Sequence, residues 1–208
     1  MKVSQPKQKK QRSCTHLAPR ERILKVSLEL YLKEGIESLS MRRIARKLGV
    51  VPSSLYKHYE NKDALVWAII MEGYSVFASY LQRALTEPTP EAKLHRIISE
   101  YLSFAIEQPK YYEVIFLNPH QYFQSSTIPE SVRAHSRTTF QILENVVQIC
   151  LDAGLFKPGD ATGIAYTIWT HAHGAVALRL TGLAPQNNDE FSTFYFYSFQ
   201  NLLRGLRR

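Results

Sequence analysis

The sequence predicts an all-α protein: a three-helix head built on a helix-turn-helix, joined by a long helix to a larger helical body. Three observations lead there. Apolar residues recur at helical spacing along most of the chain, and no segment shows the alternation of period two that a sheet requires. Proline and glycine act as punctuation: Pro19, Pro52, Pro90, Pro109 and Pro129 stand where helices begin, and Gly35, Gly49 and Gly154 just past where they end. Charge is divided unequally, with 15 Lys and Arg against 6 Asp and Glu in residues 1–63, a balance of +9 in a chain whose total is +8.

Residues 1–17 hold five Lys and Arg and no acid, which predicts a disordered basic tail. Such a tail either reaches into a flanking minor groove or adds only weak electrostatic attraction. The head is expected over residues 18–64. Its first helix runs from Pro19 to Gly35, with Ile23, Leu24, Leu28 and Tyr31 as the apolar stripe and Glu21 near the positive end of the helix dipole. Ser40 caps a second helix that buries Ile44, Ala45 and Leu48 and stops at Gly49. Pro52 opens a third, with Leu55 and Tyr59 turned inward. Asn61 caps a fourth from Lys62 to about Leu85, roughly 36 Å at 1.5 Å per residue. The body, residues 65–208, continues in helices from Pro90 to about Gln108, Pro109 to Leu117, Pro129 to Ala153, Asp160 to Leu180 and Asp189 to Leu206, with a loop over Asn118–Thr127.

The excess positive charge sits with the helix-turn-helix, as a polyanion partner requires. A generally basic solubility surface would have spread it. Ser40, Arg42 and Arg43 stand at a helix start, where backbone N–H groups already favour anions, and are expected to hold phosphate. Pro52 opens the recognition helix. Ser53, Ser54 and Lys57 are expected outward near its N-terminus, the end that meets base edges. Tyr56 and His58 flank the backbone, and Lys62 repeats the helix-start phosphate geometry.

These residues carry a resemblance. The runs Arg22-Ile23-Leu24, Leu39-Ser40-Met41-Arg42-Arg43-Ile44-Ala45, Leu48-Gly49-Val50, Leu55-Tyr56-Lys57-His58-Tyr59 and Asn61-Lys62-Asp63-Ala64-Leu65 resemble the DNA-binding head of the TetR/AcrR family of bacterial transcriptional regulators. Two positions depart from the family pattern. Val51 stands where Ser or Thr often caps the recognition helix, a loss worth about 1 kcal/mol that Pro52 partly offsets. Tyr59 replaces Phe and brings a hydroxyl that needs a partner.

In the body, Trp169-x-x-x-His173-Gly174 resembles the C-terminal segment of a TetR subgroup named for its Trp-His-Gly pattern. The resemblance implies a homodimer through the last two helices, with Trp169, His173, Gly174, Phe194, Tyr195 and Leu202 at the interface. A helix packed within one chain is the alternative. It also implies an effector cavity among the body's aromatic rings: Trp67, Tyr74, Tyr101, Phe104, Tyr111, Phe116, Phe140 and Trp169, within a set that includes Phe77, Tyr112 and Phe123. A solid core would use the same rings. The effector would be small and apolar or amphipathic, with Glu100, Glu107 and Glu113 as available carboxylates. His171 and His173, two apart on a helix, point to different faces and suit hydrogen-bonded packing rather than a metal.

The chain is therefore expected to be a regulator, most often a repressor in this family, released from a palindromic operator in double-stranded DNA by its effector. The alternative is a constitutive or protein-controlled DNA-binding regulator. No catalytic residues, cofactor or metal are expected, since no nucleophile–base pair, phosphate loop or ligand set appears. Cys14 and Cys150 imply no disulfide framework. With no signal peptide, and with Ile164–Leu180 too short and too polar to span a bilayer, the protein is expected in the cytoplasm and off the membrane.

Overall fold

The structure, a computed structural model, describes residues 18–117 and 128–208. The expected basic tail, the expected loop over 118–127 and Phe123 lie outside the described residues. The chain divides into two compact units between Val66 and Trp67.

In the first unit, α1 (Pro19–Glu34) opens on its proline, with the Glu21 carboxylate accepting from the Ala18 N–H at 3.2 Å. Its buried face is Ile23, Ser27, Leu30 and Tyr31, whereas Leu24 and Leu28 are only half-buried. Ser27 tolerates full burial because its hydroxyl donates to the Ile23 carbonyl at 2.7 Å. Ser40 caps α2 (Met41–Leu48), its Oγ accepting from the Arg43 N–H at 3.2 Å, and Gly49 ends the helix at φ 71°, where a side chain would be strained. Met41, Ile44 and Ala45 are buried, and Leu48 is half-buried. α3 (Pro52–Tyr56) is a single short helix behind the uncapped Val51. Leu55 is fully buried, and the Tyr59 hydroxyl donates to the Arg20 carbonyl at 3.4 Å beneath the Arg20 guanidinium, 5.1 Å from its ring. Asn61 Oδ1 accepts from the Ala64 N–H at 2.8 Å to start α4 (Lys62–Gln82), within which the two units meet in sequence.

The helical path of α4 tightens into a 3-10 turn over Arg83–Thr86. The body then builds α5 (Pro90–Glu107), capped by Thr89, and α6 (Pro109–Tyr112), which widens into a π turn over Glu113–Leu117. α7 (Glu130–Asp152), α8 (Ala161–Leu180) and α9 (Asn188–Leu206) follow, the last two capped by Asp160 and Asn187. Among the described residues there is no strand, only an isolated bridge between Phe156 and Arg207. Ile97 and Leu102 of α5, Val146 and Val147 of α7, Ile168 and Val176 of α8, and Phe191 and Phe199 of α9 form the core. Cys150 is part of it, its thiol donating to the Pro90 carbonyl and pushed up by burial to about 11.

The most apolar helical stretch is Lys62–Thr86, not Ile164–Leu180. At mean hydropathy 1.5 it is long and apolar enough to cross a membrane by length and composition. Core duty accounts for that composition: Leu65, Val66, Ile69, Ile70, Phe77 and Leu81 are all buried in the protein.

Candidate nucleic-acid interface and body cavity

In the head, Ser40, Arg42, Pro52, Ser53, Tyr56, Lys57 and His58 are exposed, and Arg43, Ser54 and Lys62 are partly so. The fold thus presents hydroxyls and cations from the start of α2 and along α3. Two expectations need correction. α3 ends at Tyr56, so Lys57 stands at its C-terminal cap rather than near its N-terminus; the helix is only five residues long, and the Tyr59 N–H closes back on Leu55. The Arg43 guanidinium is engaged within the head, with Nη2 reaching both oxygens of Glu34 at 2.6 and 2.7 Å. That hydrogen bond holds the Glu34 carboxyl below its ordinary range. Lys47 makes a similar tie to Glu29 at 3.2 Å. A groove beside α3 brings Arg22 next to Ser54 and His58. Sequence reading passed over Arg22 as a site residue because it lies on a different helix.

In the body, a cavity of about 170 Å³ is lined by Tyr74 of α4, Tyr101 of α5, Phe116, Phe140 of α7 and Trp169 of α8. The other three expected rings do not line it. Phe104 is fully buried against Phe77, Tyr80 and Tyr112, with ring centroids 4.7 to 6.3 Å apart. Tyr111 packs beside Gly73, and Trp67 lies elsewhere on α4. The structure adds Tyr166, whose ring lies 4.6 Å from Phe140, and a polar edge of Ser136, Arg137 and Thr139 on α7. The three carboxylates are committed elsewhere. Glu100 is buried between Arg83 and Arg96 at 3.0 and 2.6 Å, Glu107 accepts from the Tyr80 hydroxyl, and Glu113 pairs with Lys110.

One wall of the cavity carries a hydrogen-bonded relay. The Trp169 side chain hydrogen-bonds Tyr101, the Tyr101 and Tyr112 hydroxyls are 3.3 Å apart, and Tyr112 lies 2.7 Å from His173 Nδ1. Burial lowers the pKa of His173 and raises those of both tyrosines, so the three groups are neutral together. Tyr112 then donates to Nδ1, Tyr101 to Tyr112 and the indole N–H to Tyr101, which satisfies each hydroxyl internally.

Of the expected interface residues, Trp169 and His173 are half-buried and take part in the relay, whereas Tyr195 is fully buried within the chain, its hydroxyl donating to the Ile98 carbonyl at 3.1 Å, and so cannot meet a partner. Gly174, roughly 100° further around α8, is exposed, and an added Cβ would meet nothing within 4 Å. Phe194 is 38% exposed and Leu202 half-buried; Tyr197 of α9 and Leu178 of α8 are exposed as well. His171 meets Ser198 at 3.0 Å, and no group of His, Cys, Asp and Glu among the described residues could hold a metal.

Residues 23–69 match the family described as bacterial regulatory proteins, tetR family, and residues 94–195 match the tetracyclin repressor-like C-terminal domain. The sequence is 28% identical to the uncharacterized HTH-type transcriptional regulator YobS of Bacillus subtilis over 98 residues, 47% of this chain and 51% of that protein. The chain spans about half the length of the curated relatives it matches. A protein of unknown function from Rhodococcus sp. RHA1 shares the fold at TM-score 0.78 and 24% identity, over 95% of this chain and 100% of that one. So does the transcriptional regulator FadR of Bacillus subtilis in complex with stearoyl-CoA, at TM-score 0.69 and 16% identity, over 90% and 99%. At such identities these two structures speak for the fold alone. The matched spans at both ends cover most of the chain, which belongs to the tetR family of bacterial regulatory proteins.

Proposed function

We propose that the protein is a cytoplasmic, homodimeric transcriptional repressor that binds a palindromic operator through residues 18–64 and releases it when a small effector occupies the body, residues 65–208. The observation that carries the DNA reading is the exposed set Ser53, Tyr56, Lys57 and His58 on and after α3, within the tetR-matched segment and within the first 63 residues, which hold the chain's excess positive charge. Selecting operator fragments from genomic DNA and titrating them against wild type, Tyr56→Ala and Lys57→Ala tests it. Undiminished affinity in both variants would remove the recognition face from consideration.

The cavity supports a ligand-controlled regulator over a constitutive one. An engineered apolar cavity of about 150 Å³ holds benzene, so about 170 Å³ suits one ring or a short branched tail. A stearoyl chain such as FadR carries would not fit this cavity without expansion. Because the relay leaves no hydroxyl donor spare, the polar end of the effector falls to the α7 edge of the cavity, where Ser136 and Thr139 stand, the Thr139 hydroxyl as an acceptor since it donates to the His135 carbonyl, together with Arg137, which already pairs with Glu130. An effector lowers operator affinity only through its different affinity for the two states of the dimer.

The exposed apolar positions on α8 and α9 support dimerisation through those helices, and Trp169, His173 and Gly174 support the Trp-His-Gly subgroup. A Cβ at Gly174 meets nothing within 4 Å, so Gly174→Leu begins in open space and serves as the probe. Sedimentation should show monomer with unchanged helix content; an intact dimer would place the contact elsewhere.

A further inference from the structure

The aromatic cavity of the body has a hydrogen-bonding polarity, set largely by one helix. Ser136, Thr139, Phe140 and Leu143 all line it, and their spacing of three and four places them on a single stripe of α7. Two of the four bring a hydroxyl, and the direction in which each hydroxyl points decides what the cavity can accept.

The protons on the buried and half-buried polar side chains of the lining are already given to protein acceptors. The Thr139 hydroxyl donates to the His135 carbonyl at 2.8 Å. Tyr74 donates to the Ile115 carbonyl at 3.4 Å, an oxygen that can only accept. Ser136 hydrogen-bonds Tyr74, so in that pair the serine gives the proton. Trp169 donates to Tyr101 and Tyr101 to Tyr112, as the relay requires. Arg137 and Tyr166, the two exposed polar members of the lining, have water to satisfy them, and Arg137 is also held by Glu130. What the α7 stripe keeps in reserve is lone pairs. No described residue donates to the Ser136 or Thr139 oxygen, although Thr139 is buried.

We infer that the cavity selects a neutral single-ring compound carrying an O–H or N–H donor, a molecule of the phenol or aniline class, with its ring among Phe116, Phe140 and Trp169 and its donor on Ser136 and Thr139. The inference rests on the reading of this cavity as the effector site and adds the polarity of the ligand. A volume of about 170 Å³ admits one ring, and aromatic walls favour offset and edge-on ring contacts. A ligand oxygen without a proton would meet lone pairs there and lose its water without replacement. A carboxylate would lose more, because its charge would be desolvated against acceptors.

The test titrates p-cresol, anisole, toluene and benzoate into the full-length protein by calorimetry, without DNA. p-Cresol and anisole are isomers, so size does not separate them; only the first has a proton on its oxygen. p-Cresol should bind about three- to tenfold more tightly than anisole or toluene, the worth of one hydrogen bond, and benzoate should bind most weakly. Combining Ser136→Ala with Thr139→Val should bring p-cresol down to the level of toluene, while toluene itself binds as before and reports an intact cavity. If that variant does not fold, the ranking of the isomers on wild type decides alone. Anisole or benzoate binding as tightly as p-cresol, undiminished p-cresol binding in the folded variant, or failure of all four probes to bind would each overturn the inference. A parallel titration of operator-bound protein tests the reading beneath it. Selective p-cresol binding without operator release would leave the ligand class standing and remove the cavity from control of DNA binding.

Discussion

The outer face of the head and the cavity of the body are built in opposite ways. The head's polar display comes from consecutive residues: Ser40 to Lys62 contain the cap, the glycine turn, the proline and every proposed DNA contact in one run. The cavity draws its walls from Tyr74 to Phe199, with five helices contributing. A surface that greets DNA can be specified locally, because caps and turns fix which side chains point outward. A cavity is what remains after distant helices have packed, and no short run of residues specifies it. Mutations should therefore act locally and on binding in the head, but through packing and stability in the body.

The largest effect expected in the body comes from Gly73→Ala. Its new Cβ would lie 2.8 Å from Ile115 Cγ2 and 3.3 Å from the Tyr111 ring, so the π turn must shift at a cost of about 1–3 kcal/mol. Denaturant titration should show that loss, and an unchanged midpoint would mean the turn yields freely. In the head, Lys57→Ala should cost a similar 1–3 kcal/mol, but in operator affinity and at no cost to the melting temperature. A loss of stability equal to the loss of binding would erase the contrast between the regions.

The relay gives a pH signature. Folding lowers the His173 pKa from its ordinary 6.5, so its contribution is complete above that value and fades as pH falls from 6.5 towards the lowered one, where the unfolded chain takes up a proton the native chain refuses. His173→Gln should flatten the stability profile in that window relative to wild type; His171, also lowered by burial, leaves a residual slope. The smallest effect is a gain. Val51 already has extended backbone at φ −76°, ψ 145°, so Val51→Ser should supply the missing cap and stabilise the head by about 1 kcal/mol. No gain would show that α3 is too short for a cap to matter.

Much of this architecture was legible in advance for a physical reason. Every helix start at a proline or capping residue follows from φ restriction and unsatisfied N–H groups, and these signals survive in any context. The head's outward residues were legible for the same reason, except where a cation had a nearby acid: nothing in the spacing of Glu34 and Arg43 announces that they meet. In the body, five cavity rings could be named from composition, but Phe104 sits one turn beyond Tyr101 and faces solid core. His173 was readable as a hydrogen-bonded histidine, while its partners Tyr101 and Tyr112, more than sixty residues away, were not.

Trp169 stacks on His173 at 5.6 Å and borders the cavity, while the chain's other indole, Trp67, lies outside it. The protein thus contains its own optical gauge. With Trp67 replaced by Phe, near-ultraviolet emission would come from one ring, whose brightness depends on the charge of its stacked imidazole and on what fills the space beside it. Occupancy of the cavity could then be followed by light alone, without a label and without DNA.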